Sequence, residues 1–382
     1  MTRKRRVMLA AGGTGGHFYP GYVLGQALKE AGFEPLYLVR EADPAGAVLD
    51  KDGLPFVEVP LRGMPRTLGP ELVRFAWRLA SGMRLVRRVV ADFKPDAVVG
   101  MGGYLTFPAA WAAGMRGVPV LLHESNSVLG LANRASLPFS RALALGLPPA
   151  RPTKREAELT GTPVRRTLWK LPEPAEARTA LGLAPGLPTL LVFGGSQGAR
   201  GLNRLVPEAL KMTWKGPGAP GPFQVIHLPG SKEAAAVRAA YEGSPFRVLV
   251  LDYLHEMERA YAAADLVVSR SGASTLAELA ATSRAAVLVP YPSAAAGHQE
   301  ANASVAARAG AAVVLAENGL TARTLADALS DLMPSAGPGG GARRARLLDM
   351  GRRWSHLGIP KPPECVSGLV ETVSRLADEA KT

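Results

Sequence analysis

The chain has 382 residues, which exceeds the usual size of a single hydrophobic core, so two domains are expected. Apolar residues make up 47% and charged residues 20%, which excludes extensive disorder, and the single cysteine, Cys365, excludes an internal disulfide and fits a reducing compartment. The net charge of +13 favours anionic partners such as lipid headgroups or phosphorylated substrates.

The N-terminal segment begins with a basic run, Arg3 to Arg6, of the kind that can open a signal peptide. The apolar stretch that follows, Val7 to Ala11, is too short for the apolar region of such a peptide. Because the chain holds no run of about 18 apolar residues, no membrane-spanning helix is predicted.

Short runs rich in leucine and β-branched residues alternate with helical patterns, which predicts βαβ units and parallel sheets. Apolar residues at helical spacing predict helices such as Tyr22–Ala31 and Ser274–Ala281. In the first half the predicted strands are Arg6–Ala10, Pro35–Val39, Ala97–Val99, Val118–Leu122 and Ala142–Leu145. In the second half they are Thr189–Phe193, Gln224–His227, Arg247–Val250, Leu266–Ser269, Ala286–Val289 and Ala312–Leu315.

The same glycine pattern occurs near the start of each half. Val7–Ala11 leads into Gly12–Gly16, and Leu190–Phe193 leads into Gly194–Gly198. A buried strand that ends in a glycine loop and opens a helix is typical of Rossmann-like domains, so we expect two of them, facing each other across a cleft.

Structure-breaking residues suggest where the two domains meet. Gly161 and Pro163 predict a linker around residues 160–166. We therefore expect an N-terminal domain of residues 1–162 and a C-terminal domain of residues 163–349. The amphipathic C-terminal segment, residues 350–382, is expected to form a helix that joins the N-terminal domain.

The glycine loops are candidate anion sites, because backbone N–H groups and a helix N-terminus can approach a phosphate there. Neither loop ends in the Gly-Lys-Ser/Thr of a Walker A motif, and neither continues into a full dinucleotide-binding pattern with an acidic partner. ATP hydrolysis and hydride transfer are therefore not predicted. The first loop ends in His17, which is suited either to general-base catalysis or to capping the helix.

Further polar residues follow other predicted strands of the first half. Gly100–Gly103 precedes Tyr104, and His123, Glu124 and Asn126 come directly after the next strand. Open α/β sheets bind ligands at the carboxyl ends of their strands, so these residues are expected near the first glycine loop.

In the second half, a run of small and polar residues from Ser269 to Thr275 leads into a helix that carries Glu278. The Glu278 carboxylate could accept hydrogen bonds from two ribose hydroxyls, or it could simply favour the positive end of the helix dipole. Gln299 opens another helix with a side chain suited to sugar hydroxyls.

A basic amphipathic stretch runs from Leu72 to Arg88. Phe75, Trp77 and Leu79 alternate there with arginines, which suits a helix lying on an anionic bilayer. The alternative is an ordinary surface helix whose apolar side joins the core. Aromatic residues are otherwise few, so binding to nucleic acid is not predicted.

Taken in order, these motifs resemble one family, the bacterial lipid II-forming N-acetylglucosaminyltransferases. The resemblance covers residues 7 to about 305 and rests on the ordered series rather than on any single motif. The series consists of Gly-Gly-Thr-Gly-Gly-His17 with Pro20, Gly-Gly-Tyr104, His123-Glu124-x-Asn126, Gly-x-Pro-Val-Arg165, Gly-Gly-Ser196-Gln197-Gly198-Ala-Arg200 and Arg270-Ser-Gly-Ala-x-Thr275-x-x-Glu278.

The resemblance implies a fold and a reaction. The fold would be the α/β GT-B fold, in which two Rossmann-like domains hold the active site between them. The reaction would be an inverting transfer of N-acetylglucosamine from UDP-N-acetylglucosamine to the 4-hydroxyl of lipid I. His17 is the first choice for the base and Glu124 the second, and the acceptor-side residues would be Thr14, Gly15, Gly16, Tyr104 and Asn126.

The resemblance also implies a donor site in the C-terminal domain. Glu278 would bind the ribose, and Leu254 would lie against the uracil. Arg165 and the second glycine loop would contact the diphosphate through Ser196, Gln197 and Gly198. The sugar would be framed by Ala273, Ser274, Thr275 and Gln299.

Cofactors and partners follow from the same resemblance. No cofactor or essential metal is expected, since no Asp-x-Asp motif occurs at a suitable place and Arg165 could supply positive charge. Besides the two substrates, an anionic membrane surface and other cell-wall synthesis proteins are expected partners. The expected location is peripheral, on the cytoplasmic face of the inner membrane. Ser125, Thr162 and Gly297 depart from the residues that the family usually has.

Two other interpretations remain at this point. One is a related enzyme, either a GT-B transferase acting on another lipid or a UDP-sugar epimerase, which should carry more acidic residues in its active site. The other is a catalytically silent nucleotide-sugar sensor or scaffold. The His-Glu-x-Asn series and the Gly-Gly-Thr-Gly-Gly-His loop favour the lipid II-forming enzyme over the related enzymes, and the presence of His17 and Asn126 speaks against a silent sensor.

Overall fold

The computed structural model describes residues 3–13, 15–61, 70–153, 155–195, 199–215, 222–294, 297–334 and 340–379. The chain divides into two compact units. The first unit consists of Met1–Arg165 and Ile359–Thr382, and the second consists of Arg166–Gly358. Each unit is an α/β layer structure around one parallel sheet, which confirms the predicted fold class.

The sheet of the first unit has seven parallel strands in the order β3-β2-β1-β4-β5-β6-β7. The strands are β1 (Arg5–Ala10), β2 (Phe33–Arg40), β3 (Phe56–Val59), β4 (Ala97–Gly100), β5 (Val120–Glu124), β6 (Ala142–Leu145) and β7 (Glu158–Leu159). The helices are α1 (Gly15–Glu30), α2 (Ala45–Lys51), α3 (Pro70–Phe93), α4 (Thr106–Gly114), α5 (Leu131–Ser136) and the C-terminal helix, α14 (Pro362–Glu379).

The sheet of the second unit has six parallel strands in the order β10-β9-β8-β11-β12-β13. The strands are β8 (Thr189–Phe193), β9 (Gln224–Leu228), β10 (Arg247–Val250), β11 (Leu266–Ser269), β12 (Ala286–Leu288) and β13 (Ala312–Val314). The helices are α6 (Pro174–Ala180), α7 (Arg200–Lys215), α8 (Ala234–Ala240), α9 (Met257–Ala263), α10 (Ala273–Thr282), α11 (His298–Arg308), α12 (Ala322–Leu332) and α13 (Gly340–Arg352).

The central strands form where the sequence has continuous apolar runs. All residues of β4, β8 and β11 are buried, as expected for parallel strands covered by helices on both faces. The strands β3 and β7 are additions to the predicted set. Both lie at sheet edges, and their charged residues, Glu58 and Glu158, interrupt the apolar pattern.

The chain crosses between the units at two places, which lie three and nine residues after the predicted boundaries at residues 162 and 349. The first unit ends at Arg165, and the second ends at Gly358. Residues 350–358 belong to the second unit because the indole Nε1 of Trp354 donates to the carbonyl of Arg284 at 2.9 Å and Gly351 packs against Ser283.

Both sheets reverse their strand order at one point. In the first sheet this point lies between β1 and β4, and in the second between β8 and β11. Connections from the two adjacent strands leave toward opposite faces there, which opens a crevice at the carboxyl ends of the strands. Both predicted glycine loops follow a strand at such a point, as does the Gly100–Gly103 loop.

Candidate active site

In the first unit, His17 lies on the first turn of α1 and packs against the loop after β4. Gly102 and Gly103 form that loop with φ angles of +91° and +75°. A methyl group built on either glycine would lie 3.1 Å from an atom of the His17 ring. Glycine is therefore needed here both for the backbone conformation and for the approach of the imidazole.

The first glycine loop is fixed at the turn before α1. Gly13 has a φ of +104°, and its N–H donates to Asp43 Oδ2 at 2.6 Å. Gly15 and Gly16 follow in the first turn of α1, and the N-terminus of a helix favours an anion. Thr14 lies outside the described residues.

Glu124 ends β5 and is only 3% exposed. Its Oε1 accepts from the backbone N–H of Asn126 at 3.1 Å and from the Asn126 side-chain amide at 2.9 Å. Its Oε2 accepts from the N–H of Gly130 and from Asn133 Nδ2, both at 2.8 Å. Because a carboxylate offers about four acceptor positions, these bonds occupy Glu124 in holding the 126–130 loop.

His123 precedes Glu124 and is fully buried. Its Nε2 lies 2.8 Å from the carbonyl oxygen of Gly161, in the predicted linker, and its Nδ1 lies 3.4 Å from Ser125 Oγ. Burial lowers the pKa of His123, with a smaller contribution from the charge of His17. His123 is therefore a neutral residue that ties the end of β5 to the linker.

Tyr104 and Arg165 are two further predicted site residues of the first unit. Tyr104 follows the Gly102–Gly103 loop and is 53% exposed, so its ring is available to a ligand. Arg165 is the last residue of the first of the unit's two segments, and its guanidinium lies 5.6 Å from the ring centroid of Tyr19 on α1. The structure thus brings Arg165 beside the first turn of the helix that carries His17.

In the second unit, the glycine loop after β8 is described only in part. Gly195 has a φ of +87°, and α7 begins at Arg200. Ser196, Gln197 and Gly198 lie outside the described residues.

The loop after β11 leads into α10, whose first turn contains Ala273, Ser274 and Thr275. All three are half-buried, and the N-cap residue is Gly272, which offers no side chain to the backbone N–H groups of that turn. The N-terminus of α10 therefore has no side-chain cap from Gly272, and the helix dipole favours a ligand oxygen there.

Glu278 lies one turn further along α10 and is held by a buried phenol. The hydroxyl of Tyr261, on α9, donates to Glu278 Oε2 at 2.8 Å. Tyr261 is fully buried and its ring meets Phe193, the last residue of β8, edge-on at 6.0 Å. The carboxylate is thus fixed relative to the strand that opens the second glycine loop.

Gln299 lies on the first turn of α11 and is bonded through both its side chain and its backbone. Its Oε1 accepts from the N–H of Tyr291 at 2.9 Å, and its carbonyl accepts from Ser271 Oγ at 2.8 Å. Asn302 donates to the carbonyl of Ser271 at 3.1 Å. These bonds connect Gln299 to the loop that precedes α10.

Leu254 follows β10 and is half-buried. It stands between Tyr253, which is 56% exposed, and His255, whose ring lies 4.7 Å from that of Tyr253. Leu254 is thus a half-buried apolar residue next in sequence to two exposed rings that pack edge-on against each other.

The predicted membrane residues lie on α3. Trp77 is 68% exposed, Phe75 is half-buried, and Leu79 packs against the core. Nowhere in the described part of the chain is a helix both long and apolar enough to cross a membrane. Across the same residues, no group of three or more His, Cys, Asp or Glu side chains is arranged to hold a metal ion.

Some residues that position the site carry no motif in the sequence. Tyr261 lies in an alanine-rich helix, and Asn133 lies seven residues after Asn126 in a segment without a recognisable motif. Their partners, Glu278 and Glu124, belong to other elements, so only the folded chain brings them together. A polar residue on an otherwise apolar helix face was the one available signal.

Models of two protein families match the chain. The glycosyltransferase family 28 N-terminal domain matches residues 7–144, and the glycosyltransferase family 28 C-terminal domain matches residues 189–337. Both families correspond to the α/β units described above.

Curated proteins match over nearly the whole length. A UDP-N-acetylglucosamine–N-acetylmuramyl-(pentapeptide) pyrophosphoryl-undecaprenol N-acetylglucosamine transferase of Burkholderia ambifaria is 38% identical, with 98% of each chain covered. A protein of the same name from Elusimicrobium minutum is 34% identical, with 97% of this chain and 100% of the relative covered.

Among solved structures, MurG of Acinetobacter baumannii is similar, with a TM-score of 0.77, 27% identity, and coverage of 97% of this chain and 99% of that one. The kitacinnamycin glycotransferase, at 16% identity and a TM-score of 0.67, shares the fold alone. These similarities confirm the predicted GT-B fold.

Proposed function

This chain belongs to the family of UDP-N-acetylglucosamine–N-acetylmuramyl-(pentapeptide) pyrophosphoryl-undecaprenol N-acetylglucosamine transferases, and we propose that it converts lipid I into lipid II in peptidoglycan synthesis. In this reaction N-acetylglucosamine moves from UDP-N-acetylglucosamine to the 4-hydroxyl of the lipid-linked muramoyl-pentapeptide. The observation that carries the proposal is end-to-end similarity to these enzymes, supported by His17 packed on the glycine loop at the reversal of the first sheet.

The donor is assigned to the second unit. Glu278 accepts hydrogen bonds from the ribose hydroxyls, and Leu254 packs on the uracil. The first turn of α10, with Ala273, Ser274 and Thr275, donates to the sugar or its phosphate, and Gln299 binds a sugar hydroxyl. Support comes from the helix N-terminus of α10 and from the phenol that orients Glu278.

The diphosphate is assigned to the second glycine loop and to Arg165. Ser196, Gln197 and Gly198 are assigned as donors from their place in the sequence between β8 and α7, and the N-terminus of α7 favours negative charge. As the bond to the anomeric carbon breaks, charge develops on the UDP leaving group, and fixed donors there stabilise the transition state more than the ground state.

The acceptor and the base are assigned to the first unit. The muramoyl 4-hydroxyl attacks the anomeric carbon from the side opposite UDP, and His17 takes its proton. We choose His17 over Glu124 because the Glu124 carboxylate already accepts four hydrogen bonds. Glu124 then acts as a positioning residue for Asn126, while Thr14, Gly15, Gly16 and Tyr104 contact the acceptor.

The membrane contact is assigned to α3, on the cytoplasmic face of the inner membrane. Spacings of three and four residues place Arg74, Trp77, Arg84 and Arg88 along one side of this helix, and all four are exposed. An exposed indole among arginines suits the interface of an anionic bilayer. Other cell-wall synthesis proteins would meet the enzyme at the same surface.

The test of the mechanism is a His17→Ala variant assayed with UDP-N-acetylglucosamine and lipid I. Loss of a positioned general base is expected to lower kcat by about 10²–10⁴-fold, while the affinity for UDP stays unchanged because His17 is not among the residues assigned to the donor. A variant that keeps the wild-type kcat would exclude His17 as the base.

A further inference from the structure

An ion pair that no motif predicts lies beside the donor residues of the second unit. Arg270, directly after β11, is only 6% exposed. Its Nη2 lies 2.7 Å from Glu317 Oε1, and its Nη1 lies 2.9 Å from Glu317 Oε2. Two parallel bonds between a guanidinium and a carboxylate fix the orientation of both groups as well as their distance.

The pair connects the ends of three neighbouring strands. Glu317 follows β13, and Arg270 follows β11. Between them in the sheet, β12 leads to Val289, whose carbonyl oxygen accepts from Arg270 Nη1 at 3.1 Å. The Arg270 guanidinium also lies 5.4 Å from the ring centroid of Tyr291. Removing Glu317 would leave a buried cation without its counter-charge, so these strand ends would have to rearrange.

The same carboxylate packs against the start of α7, the helix that follows the second glycine loop. A methyl group built on Gly201, the second residue of α7, would overlap Glu317 Oε1. The φ of Gly201 is not positive, so glycine is required here for space rather than for backbone conformation. Glu317 therefore sets how closely α7 approaches the end of β13.

Two connections lead from Arg270 to Gln299. On one side, Ser271 is the next residue after Arg270, and its hydroxyl donates to the Gln299 carbonyl. On the other, Tyr291 lies under the guanidinium, and its N–H donates to the Gln299 side chain. Gln299 and the residues after Ser271 are the ones assigned to the sugar. Glu278, which is assigned to the ribose, has a separate anchor in Tyr261.

We propose that Glu317 is a positioning residue for sugar recognition: through Arg270 it holds Ser271 and Tyr291, and hence Gln299, in the arrangement that binds the N-acetylglucosamine portion of the donor. This inference rests on the proposed donor site. It distinguishes the two parts of the donor, since the uridine is assigned to Leu254 and Glu278, and Glu278 is anchored by Tyr261 rather than by the ion pair. Loss of Glu317 should therefore weaken UDP-N-acetylglucosamine binding more than UDP binding.

The test compares the dissociation constants of UDP and UDP-N-acetylglucosamine by calorimetry. Glu317→Gln removes the charge at nearly constant size. We expect it to weaken UDP-N-acetylglucosamine binding about tenfold and UDP binding by less than about threefold, as for the loss of one partner of a desolvated ion pair. Glu317→Asp, which keeps the charge on a shorter side chain, should show a smaller change in the same direction.

Two controls separate positioning from stability. Asp327→Asn breaks an exposed ion pair with Arg323 on α12 and should leave both affinities unchanged. Gly201→Ala keeps both residues of the ion pair, but its methyl group would displace the Glu317 carboxylate. It should therefore reproduce the selective loss of UDP-N-acetylglucosamine binding. If Glu317→Gln does not fold, Gly201→Ala tests the positioning role of Glu317 in its place.

The outcomes are distinct. The inference is overturned if Glu317→Gln binds both ligands as the wild type does, or if its affinities for both fall by the same factor. A lower melting temperature with an unchanged ratio of the two affinities would mean that the ion pair is purely structural. Wild-type protein that fails to bind UDP-N-acetylglucosamine contradicts the proposed function instead.

Discussion

Several candidate site residues are held by neighbours that the sequence does not mark. The Tyr261 hydroxyl donates to Glu278, and Asn133 and the backbone of Gly130 donate to Glu124. The types of the candidate residues were readable from their motifs, because glycine, histidine and acidic residues after strands point to ligand binding. Their partners were not, because a hydrogen bond between two helices depends on packing that local sequence does not encode.

Tyr261→Phe is expected to weaken UDP binding. The change removes the hydroxyl that orients Glu278 and keeps the buried ring, so the loss should be that of one hydrogen bond to a charged group, about 1.5 kcal/mol or about tenfold in affinity. Calorimetric titration with UDP measures it, and Tyr22→Phe, the same change in the first unit, is the control. An unchanged affinity in Tyr261→Phe would mean that Glu278 does not depend on the phenol.

A buried histidine makes the second unit sensitive to acid. His227, at 0% exposure, lies 3.0 Å from the Tyr241 hydroxyl through Nδ1 and 3.2 Å from Asn203 Oδ1 through Nε2. The Asn203 amide nitrogen donates to Pro229, so the oxygen faces the ring and the neutral imidazole donates from Nε2. Burial lowers the pKa of His227 to about 3.

The direction of the pH effect follows from this pKa. In the unfolded chain the pKa of a histidine is about 6.5, so between about pH 6.5 and pH 3 the unfolded state binds more protons and stability falls as the pH falls. From pH 6.5 to pH 5 the loss from His227 should approach about 2 kcal/mol. Urea unfolding at pH 7 and pH 5 measures it. His227→Gln should lose less over this interval, and an equal loss in both proteins would contradict the assignment.

At the scale of elements, α3 has a buried apolar side and an exposed basic side. Gly82, Val86 and Val90, at spacings of four, are buried against the sheet, and Trp77 stands among exposed arginines on the other side. The sequence left open whether this helix belongs to the core or to a membrane surface. The helical periodicity of α3 is compatible with both alternatives, since one side of the helix packs against the sheet and the opposite side remains exposed.

Trp77→Ser is expected to weaken binding to vesicles that contain anionic lipid, by about tenfold for the loss of one inserted indole. Because Trp77 is exposed, the free energy of unfolding should not change. Vesicle sedimentation measures the binding, and Tyr253→Ser, which removes an exposed aromatic from the second unit, is the control. Equal binding by wild type and Trp77→Ser would refute the assignment of this surface.

The central strands of both sheets and the edge strands of the second sheet were predictable, but the edge strands β3 and β7 of the first sheet were not. Thr189–Phe193 and Leu266–Ser269 are strands with the predicted bounds, because a fully buried parallel strand must be a continuous apolar run. The edge strand Phe56–Val59 is only partly buried and tolerates Glu58, so it has no such signature.

At the scale of the whole molecule, both ends of the chain form one unit. The helix α14 packs against α1 and β4, and its apolar residues recur at helical spacing toward the core of the first unit, namely Cys365, Leu369, Val373, Leu376 and Ala377. The amphipathic pattern predicts a helix in this part of the chain, while the residue at which the chain returns to the first unit depends on which unit the preceding residues pack against.

Leu369→Ala should therefore destabilise the first unit by about 3 kcal/mol, the usual cost of a fully buried leucine. Calorimetric unfolding detects this as a lower transition temperature for one of the two units. Arg375→Ala, which breaks only an exposed ion pair with Glu379 on the same helix, should change stability by less than about 0.5 kcal/mol. Equal effects of the two substitutions would contradict a core role for α14.

The most direct measurement of the central claim is the transfer of radiolabelled N-acetylglucosamine from UDP-N-acetylglucosamine to purified lipid I, with diacylglycerol as a competing acceptor. The account predicts label in lipid II and none in diacylglycerol, with UDP released in equal amount. Tight binding of UDP-N-acetylglucosamine without any transfer to lipid I would contradict it.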